Sequence, residues 1–277
     1  MKKVLVLFLA LVLTAALCAC TAGSSGSSPA SVTIPETVLA DAQGIKAVAK
    51  SIGPYQGEYI RLDRALLIEV TNSTEKAVSV GLTRASVNGC MVEVPMNYIV
   101  NPGETTTYPA TFDDDKLAKF GITAIADLQF VFKVEDEETY ETLLETQPIQ
   151  IQTSAAASVS PVQEPAGQVV YDADGIRVLA LTPYDSKYLG PTVDLYVVNG
   201  TDKTIDLRAS SCTLNGKPVE CYYGSFATPG KRSLDGLSFD EADRPEKIES
   251  LTLSLAIVDY QTGDPIVEAT APVTLTF

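Results

Sequence analysis

Histidine is absent from all 277 residues, and the carboxylates, thiols and phenols are the side chains whose grouping invites a chemical reading. That absence removes Ser-His-Asp and Cys-His arrangements, imidazole metal sites and the commonest general base. No P-loop, dinucleotide-type glycine motif or CxxC pair with zinc spacing is present. The carboxylates gather at Asp113-Asp114-Asp115 and at Asp240-Glu241 with Asp243. Oxygen-rich loops of this kind suit calcium, which takes about six to eight such ligands, but no Asp-x-Asp-x-Asp-Gly pattern accompanies them. The alternative is a solvated turn whose acids cap a short helix around Lys116 to Phe120. Glu135 to Glu138 (EDEE) reads as a solvated loop. Tyr222 and Tyr223, near Phe226, would floor a glycan or peptide site if they share a surface, whereas strand alternation would bury at least one of the two tyrosines.

The thiols divide between the leader and the body of the chain. Lys2 and Lys3 precede Val4 to Leu17, an uncharged apolar stretch that fits the h-region of a signal peptide and is short for a bilayer span. It closes on Leu17-Cys18-Ala19-Cys20, which has the form of a bacterial lipobox: a Leu, two small residues and the cysteine that receives a diacylglyceryl group. An ordinary cut after Ala19 is the competing reading, but Leu17 suits that site poorly. Residues 1–19 are thus expected to be the signal peptide, with Cys20 lipidated and 20–31 a Gly/Ser-rich spacer. Two acyl chains anchor a protein stably where one does so only marginally.

Removing Lys2 and Lys3 leaves 18 basic against 35 acidic residues, a net charge of −17. Such a surface repels phosphate backbones and anionic headgroups, so nucleic acid is an unsuitable partner and membrane contact is expected through the lipid.

The elements that must carry these residues are written twice. Shifted by 127, Leu66 to Asp113 aligns without a gap with Val193 to Asp240, and 12 of 48 positions are identical. Asn72, Thr74 and Lys76 match Asn199, Thr201 and Lys203, and Asn88-Gly89 matches Asn215-Gly216. A period of this length means tandem domains, here 32–153 and 169–277, joined by a low-complexity linker at 154–168 expected to be exposed and to let them pivot. Leu66, Ile68 and Val70 alternate with Leu67, Glu69 and Thr71, as Val193, Leu195 and Val197 do with their neighbours, the period of half-buried strands. The runs at Asn72–Lys76 and Asn199–Lys203 read as turns in which Asn tolerates left-handed backbone, and the two Asn-Gly pairs as hairpins. About seven short strands per copy predict an all-β chain of two tandem immunoglobulin-like β-sandwiches.

The runs VTNSTEKAVSVGLTRASVNGCMVEV and IVNPGETTTYPATFDDDKL, with their weaker copies YVVNGTDKTIDL and TLNGKPVE, resemble uncharacterised lipoproteins of Gram-positive Firmicutes that carry telokin-like, immunoglobulin-type domains. The resemblance implies fold and location, and brings no catalytic or ligand residues with it.

Cys90, Cys212 and Cys221 remain in the body of the chain. A four-residue loop at Asn215 to Pro218 would set Cys212 directly opposite Cys221, within disulfide reach, while a two-residue loop would oppose Cys212 to Val219 and leave the pair diagonal. Two reduced, buried residues are the alternative. Cys90, at the equivalent hairpin tip, is expected to be an exposed, unpaired thiol.

Together these features predict a lipid-anchored lipoprotein on the extracytoplasmic face of the cell membrane. It would be a non-catalytic module without cofactor, binding an envelope protein or glycan. A carboxylate-only hydrolase and a calcium-stiffened surface spacer are the alternatives. Replacing Cys20 with Ser should leave an unprocessed precursor that takes up no labelled fatty acid; normal labelling of that variant would refute the anchor.

Overall fold

The computed structural model describes residues 32–277, so Cys20, the signal peptide and the spacer lie outside the described residues. Alternating apolar runs punctuated by Asn-Gly, Pro-Gly and Gln-Gly turns give the first half β1 (Thr37–Ala42), β2 (Ile45–Gln56), β3 (Arg61–Asn72), β4 (Val78–Val87), β5 (Cys90–Met91), β6 (Asn97–Val100) and β7 (Thr105–Thr111). A short helix, α1 (Asp114–Lys119), precedes β8 (Asp127–Asp136), β9 (Thr142–Glu145) and β10 (Ile149–Gln152). The second half contains β11 (Gln168–Ala173), β12 (Ile176–Ala180), β13 (Tyr184–Ser186), β14 (Gly190–Asn199), β15 (Ile205–Leu214), β16 (Lys217–Val219), β17 (Cys221–Tyr222) and β18 (Gly224–Ala227). It closes with β19 (Arg232–Phe239), a 3-10 turn at Glu241–Asp243, β20 (Ser250–Asp259), β21 (Pro265–Val267) and β22 (Val273–Thr276).

The chain is all-β, with two immunoglobulin-like sandwiches in tandem. In the first, the sheet β1-β2-β3-β7 packs against β10-β8-β4, which also carries β5, β6 and β9. In the second, β11-β12-β14-β19 packs against β15-β20 with β16, β18, β21 and β22 attached. Leu66, Ile68 and Val70 of β3 are fully buried while Leu67 and Glu69 are half-buried, the alternation that a strand with one inward face requires. In β14, Val193, Leu195 and Val197 face the core, yet Asp194 and Tyr196 on the opposite face are buried as well. Something other than solvent covers that face.

The strongest sequence identity of the two copies is a buried carboxamide. Asn72 Nδ2 donates to the Lys76 carbonyl at 2.8 Å and the Val100 carbonyl at 2.9 Å, while its Oδ1 accepts from the Thr74 N–H at 2.9 Å and the Thr74 hydroxyl at 2.7 Å. Asn199 repeats the arrangement with the Lys203 and Ala227 carbonyls, both at 2.8 Å, and with the Thr201 N–H at 3.0 Å and hydroxyl at 2.7 Å. Neither Asn takes a positive φ, so these positions are held by side-chain bonding and not by the left-handed backbone expected of a turn Asn. The matching lysines reach across to the end of the following long strand, Lys76 to Asp136 at 3.0 Å and Lys203 to Asp259 at 3.1 Å. Asp136, expected in a solvated loop, is therefore buried and accepts from the Glu138 and Thr139 N–H groups. These bonds and Lys76 hold its carboxyl at about 2.

The hairpin after β15 differs from the four-residue loop considered above. Asn215 and Gly216 have φ of 49° and 80°, a two-residue turn, and Cys212 pairs with Val219. The chain then leaves that sheet, and Cys221 pairs with Phe239 of β19. Cys212 and Cys221 are joined by a disulfide with Cα atoms 6.2 Å apart, and the bond links the two sheets at their margin. Cys90 is free but buried, contrary to the expectation of an exposed thiol at a hairpin tip. The tip leans on the second half, where the Arg232 N–H donates to the Gly89 carbonyl at 3.0 Å and Cys90 pairs in parallel with Arg232.

The linker is likewise more constrained than expected. Thr33 N–H donates to the Ser154 hydroxyl at 3.0 Å and the Ser154 N–H returns a bond to the Thr33 carbonyl at 2.8 Å. Val162 packs on the first core and Glu164 pairs with Arg177, so the segment is pinned along its length and residues 32–277 form one compact unit.

Replacing Asn199 with Ala strands the Ala227 carbonyl and the Thr201 N–H, while the Lys203 carbonyl keeps the Thr201 hydroxyl at 3.2 Å. At about 1–3 kcal/mol for each group left unsatisfied, urea unfolding should show a loss of about 2 kcal/mol or more. A loss within about 0.5 kcal/mol, the range of an ordinary surface substitution, would remove this carboxamide from the basis of the fold.

Candidate functional site

Phe112-Asp113 ends β7 and starts α1, with the Asp113 carboxylate accepting from the Lys116 N–H at 2.9 Å as the N-cap and Asp114 and Asp115 filling the first turn. Lys116 and Lys119, three residues apart, share one helix face. That face meets β14 and β19 at their margin, Lys119 on the outer side with Asp194 and Lys116 reaching Asp235, which shares the side of Leu195. Lys116 pairs with Asp235, which also accepts from the Ser225 hydroxyl at 2.5 Å. Lys119 Nζ donates to Asp194 Oδ2 and to the Tyr184 hydroxyl, both at 2.8 Å, and that hydroxyl donates to Asp194 Oδ1 at 3.1 Å. Burial works against the Lys119 ammonium, but its bonds to Asp194 and Tyr184 outweigh this and raise its pKa above the ordinary lysine value.

Apolar contacts complete this contact surface. Phe120 meets Tyr196 edge-on at 6.2 Å between ring centroids, and Leu179, Tyr196 and Leu234 of the second half belong to the core of the first. Met91 of the first half joins the core of the second. Cys90 lies within this join, and burial pushes its thiol up to about 12. The buried outer face of β14 is explained: the first sandwich covers it.

Beside this join the halves separate into a groove. One cleft of about 520 Å³ and another of about 340 Å³ open there, and Arg84 lines both. The register of β4 against β8 slips between Thr83 and Ser86, and at this bulge Arg84 adopts a φ of 51°. Its guanidinium pairs with Glu145. The larger cleft also holds Lys203 paired with Asp259, whose carboxyl is kept below the ordinary range by the Gln261 N–H and by Lys203. Gln129, Gln147 and Gln261 add amides to the same cleft. The smaller cleft contains the Lys116–Asp235 pair.

The residues singled out in the sequence fall elsewhere or in other roles. Asp113 caps α1, Asp114 pairs with Arg64, and Asp115 stays in the first turn. Asp240 caps the 3-10 turn by accepting from the Ala242 N–H at 3.0 Å, with Glu241 and Asp243 in the turn itself. No cluster of three or more metal-ligating side chains occurs among the described residues. Tyr222 is exposed and Tyr223 is buried, and burial raises the Tyr223 phenol. Phe226 is exposed, but its ring neighbour is Tyr260 at 5.9 Å and not Tyr222. The groove itself escaped sequence reasoning because the Arg84 bulge and the meeting of the halves leave no periodic trace. The apolar Tyr196 on the nominally outward face of β14 was the one available signal.

No family model matches this chain, and no curated protein matches it. Among solved structures, the YadV chaperone is 9% identical over 77% of this chain and 92% of its own, with a TM-score of 0.25. The Salmonella enterica SafA pilin in complex with the SafB chaperone is 11% identical over 86% and 98%, with a TM-score of 0.24. The Amycolatopsis orientalis exo-chitosanase CsxA is 12% identical over 82% of this chain and 26% of that enzyme, also at 0.24. Likenesses this low carry no argument about function.

Because Cys90 sits in the join, its thiol reports on the join. The native protein should react with a thiol reagent at Cys90 far more slowly than the unfolded one. Replacing Lys116 and Lys119 together with Ala should raise the native rate at least about tenfold, the effect of about 1.4 kcal/mol lost from the closed state. Rapid labelling of the unaltered protein would contradict the buried join.

Proposed function

We propose that this chain is a lipid-anchored module on the extracytoplasmic face of the membrane, of the kind its resemblance to Firmicutes lipoproteins implies, and that it binds an envelope component in the groove between its sandwiches without catalysing a reaction. The supporting observation is the lysine-bearing face of α1 on β14 and β19. With Tyr196 and Leu234 buried beneath it, the two walls of the groove are held together before any ligand arrives. A preformed concavity avoids the ordering cost that two freely pivoting domains would incur on binding.

The carboxylates of the groove support binding over catalysis. Of the five carboxylates lining the groove, Glu145, Asp235 and Asp259 are each engaged by a cation of the chain and serve as fixed acceptors. The disulfide suits an oxidising, extracytoplasmic location.

The reading is tested by filling the groove. Gln147 and Gln261 are exposed side chains on its two walls, so replacing both with Trp should leave folding intact and obstruct the larger cleft. The unaltered protein should retain an envelope component that this variant releases. Equal retention by both would place binding elsewhere.

A further inference from the structure

Resting on the groove as the binding face, we infer that its ligand is an uncharged oligosaccharide, held against a platform made by Phe226 and Tyr260. Three independent observations converge on this class.

The first is charge. The cations of the groove, Arg84, Lys116 and Lys203, are each paired with a carboxylate of the chain itself. The lining as a whole has five carboxylates against these three cations, and Glu93 and Asp202 are the two in excess. An anionic polymer would have to displace internal ion pairs and approach a net negative wall. A neutral ligand does neither.

The second is the form of the polar groups. Gln129, Gln147 and Gln261 each carry both a donor and an acceptor, and the paired carboxylates add acceptor oxygens to the lining. Sugar hydroxyls donate and accept at once, so adjacent hydroxyls match a planar amide or carboxylate with two bonds. A bound peptide would instead need apolar pockets for alternate side chains. The larger cleft offers little that is apolar beyond Val131 and two prolines; the smaller one is lined by Leu82, Met91, Val92 and Val94, so the case against a peptide is made by the larger cleft.

The third is the aromatic pair. Phe226 is 37% and Tyr260 is 54% exposed, large apolar surface left in water, with ring centroids 5.9 Å apart and planes tilted by 32°. Phe226 lines the smaller cleft, and Tyr260 stands between Asp259 and Gln261 of the larger one. Phe226 thus brings the ring pair to the smaller cleft on the second half, with Tyr260 flanked in sequence by two residues of the larger cleft, while Arg84 lines both clefts from the first half. The C–H face of a pyranose is apolar and flat, and it covers such a ring while the hydroxyls at its edge remain free for the amides on either side. The arrangement suits a chain of sugars that runs from one cleft past the rings to the other.

The test uses the full chain in detergent micelles, titrated calorimetrically with neutral linear oligosaccharides of glucose and of N-acetylglucosamine, with oligouronates, and with an extended uncharged peptide. A neutral oligosaccharide should bind, and replacing Phe226 and Tyr260 with Ala should weaken it at least about fivefold. Because both rings are exposed, the variant should melt with the unaltered protein. Gln147→Ala should also weaken binding while leaving the melting curve in place. Binding of the oligouronate or the peptide in place of the neutral sugar, blocked by the double Trp substitution at Gln147 and Gln261, would overturn the ligand class and keep the groove. Binding of a neutral sugar that neither the ring variant nor the double Trp variant alters would overturn both, as would the absence of binding by every probe together with equal retention of envelope material by the double Trp variant.

Discussion

Each sandwich is organised around a single carboxamide buried where the third strand of its fold ends. Asn72 and Asn199 use both amide donors on backbone carbonyls and the amide oxygen on the N–H and hydroxyl of the Thr two residues on, tying the end of that strand to the turn after it and to a carbonyl 28 residues on. Burial of a carboxamide without those partners would be costly. The turns, the lysine to the distant Asp and the register of the neighbouring strands all follow from this one fixed point. The two copies keep it while their hairpin tips and outer faces have diverged.

Divergence on the outer faces is what makes the molecule more than two repeats. In β3 the outward positions include Glu69, which faces Lys50, whereas the matching surface of β14 carries Tyr196 and Asp194 and is covered. In α1 the lysines are set for that surface. The groove beside the join is therefore a product of differences between the copies, and no single repeat would possess it.

This explains what could be read from residues alone. Strand alternation at Leu66–Val70, the Asn-Gly hairpins and the acid-capped helix at Asp113 depend on local pattern, and local pattern is what a sequence displays. The register at Asn215-Gly216 was open between two loop lengths because the sequence permits both; the paired left-handed residues decide it. The burial of Cys90, the pinned linker and the Arg84 bulge depend on which surfaces meet, and a strand's periodicity does not say what covers its second face. Phe226 was noticed for its type, but its ring neighbour Tyr260 lies 34 positions away on another element and shares no motif with it.

The contact between the halves is head-to-tail, joining unlike surfaces, and contacts of that type build open filaments whenever each unit offers both surfaces. Here neither half does. In the frame of the repeat, Asp243 and Glu246 stand where α1 has Lys116 and Lys119, and Glu69 of β3 stands where β14 has Tyr196. A second copy brought alongside would set acid against acid. The interface that fixes the groove is thus used up within one chain, and neighbouring molecules lack the matching surfaces to propagate it into a fibre.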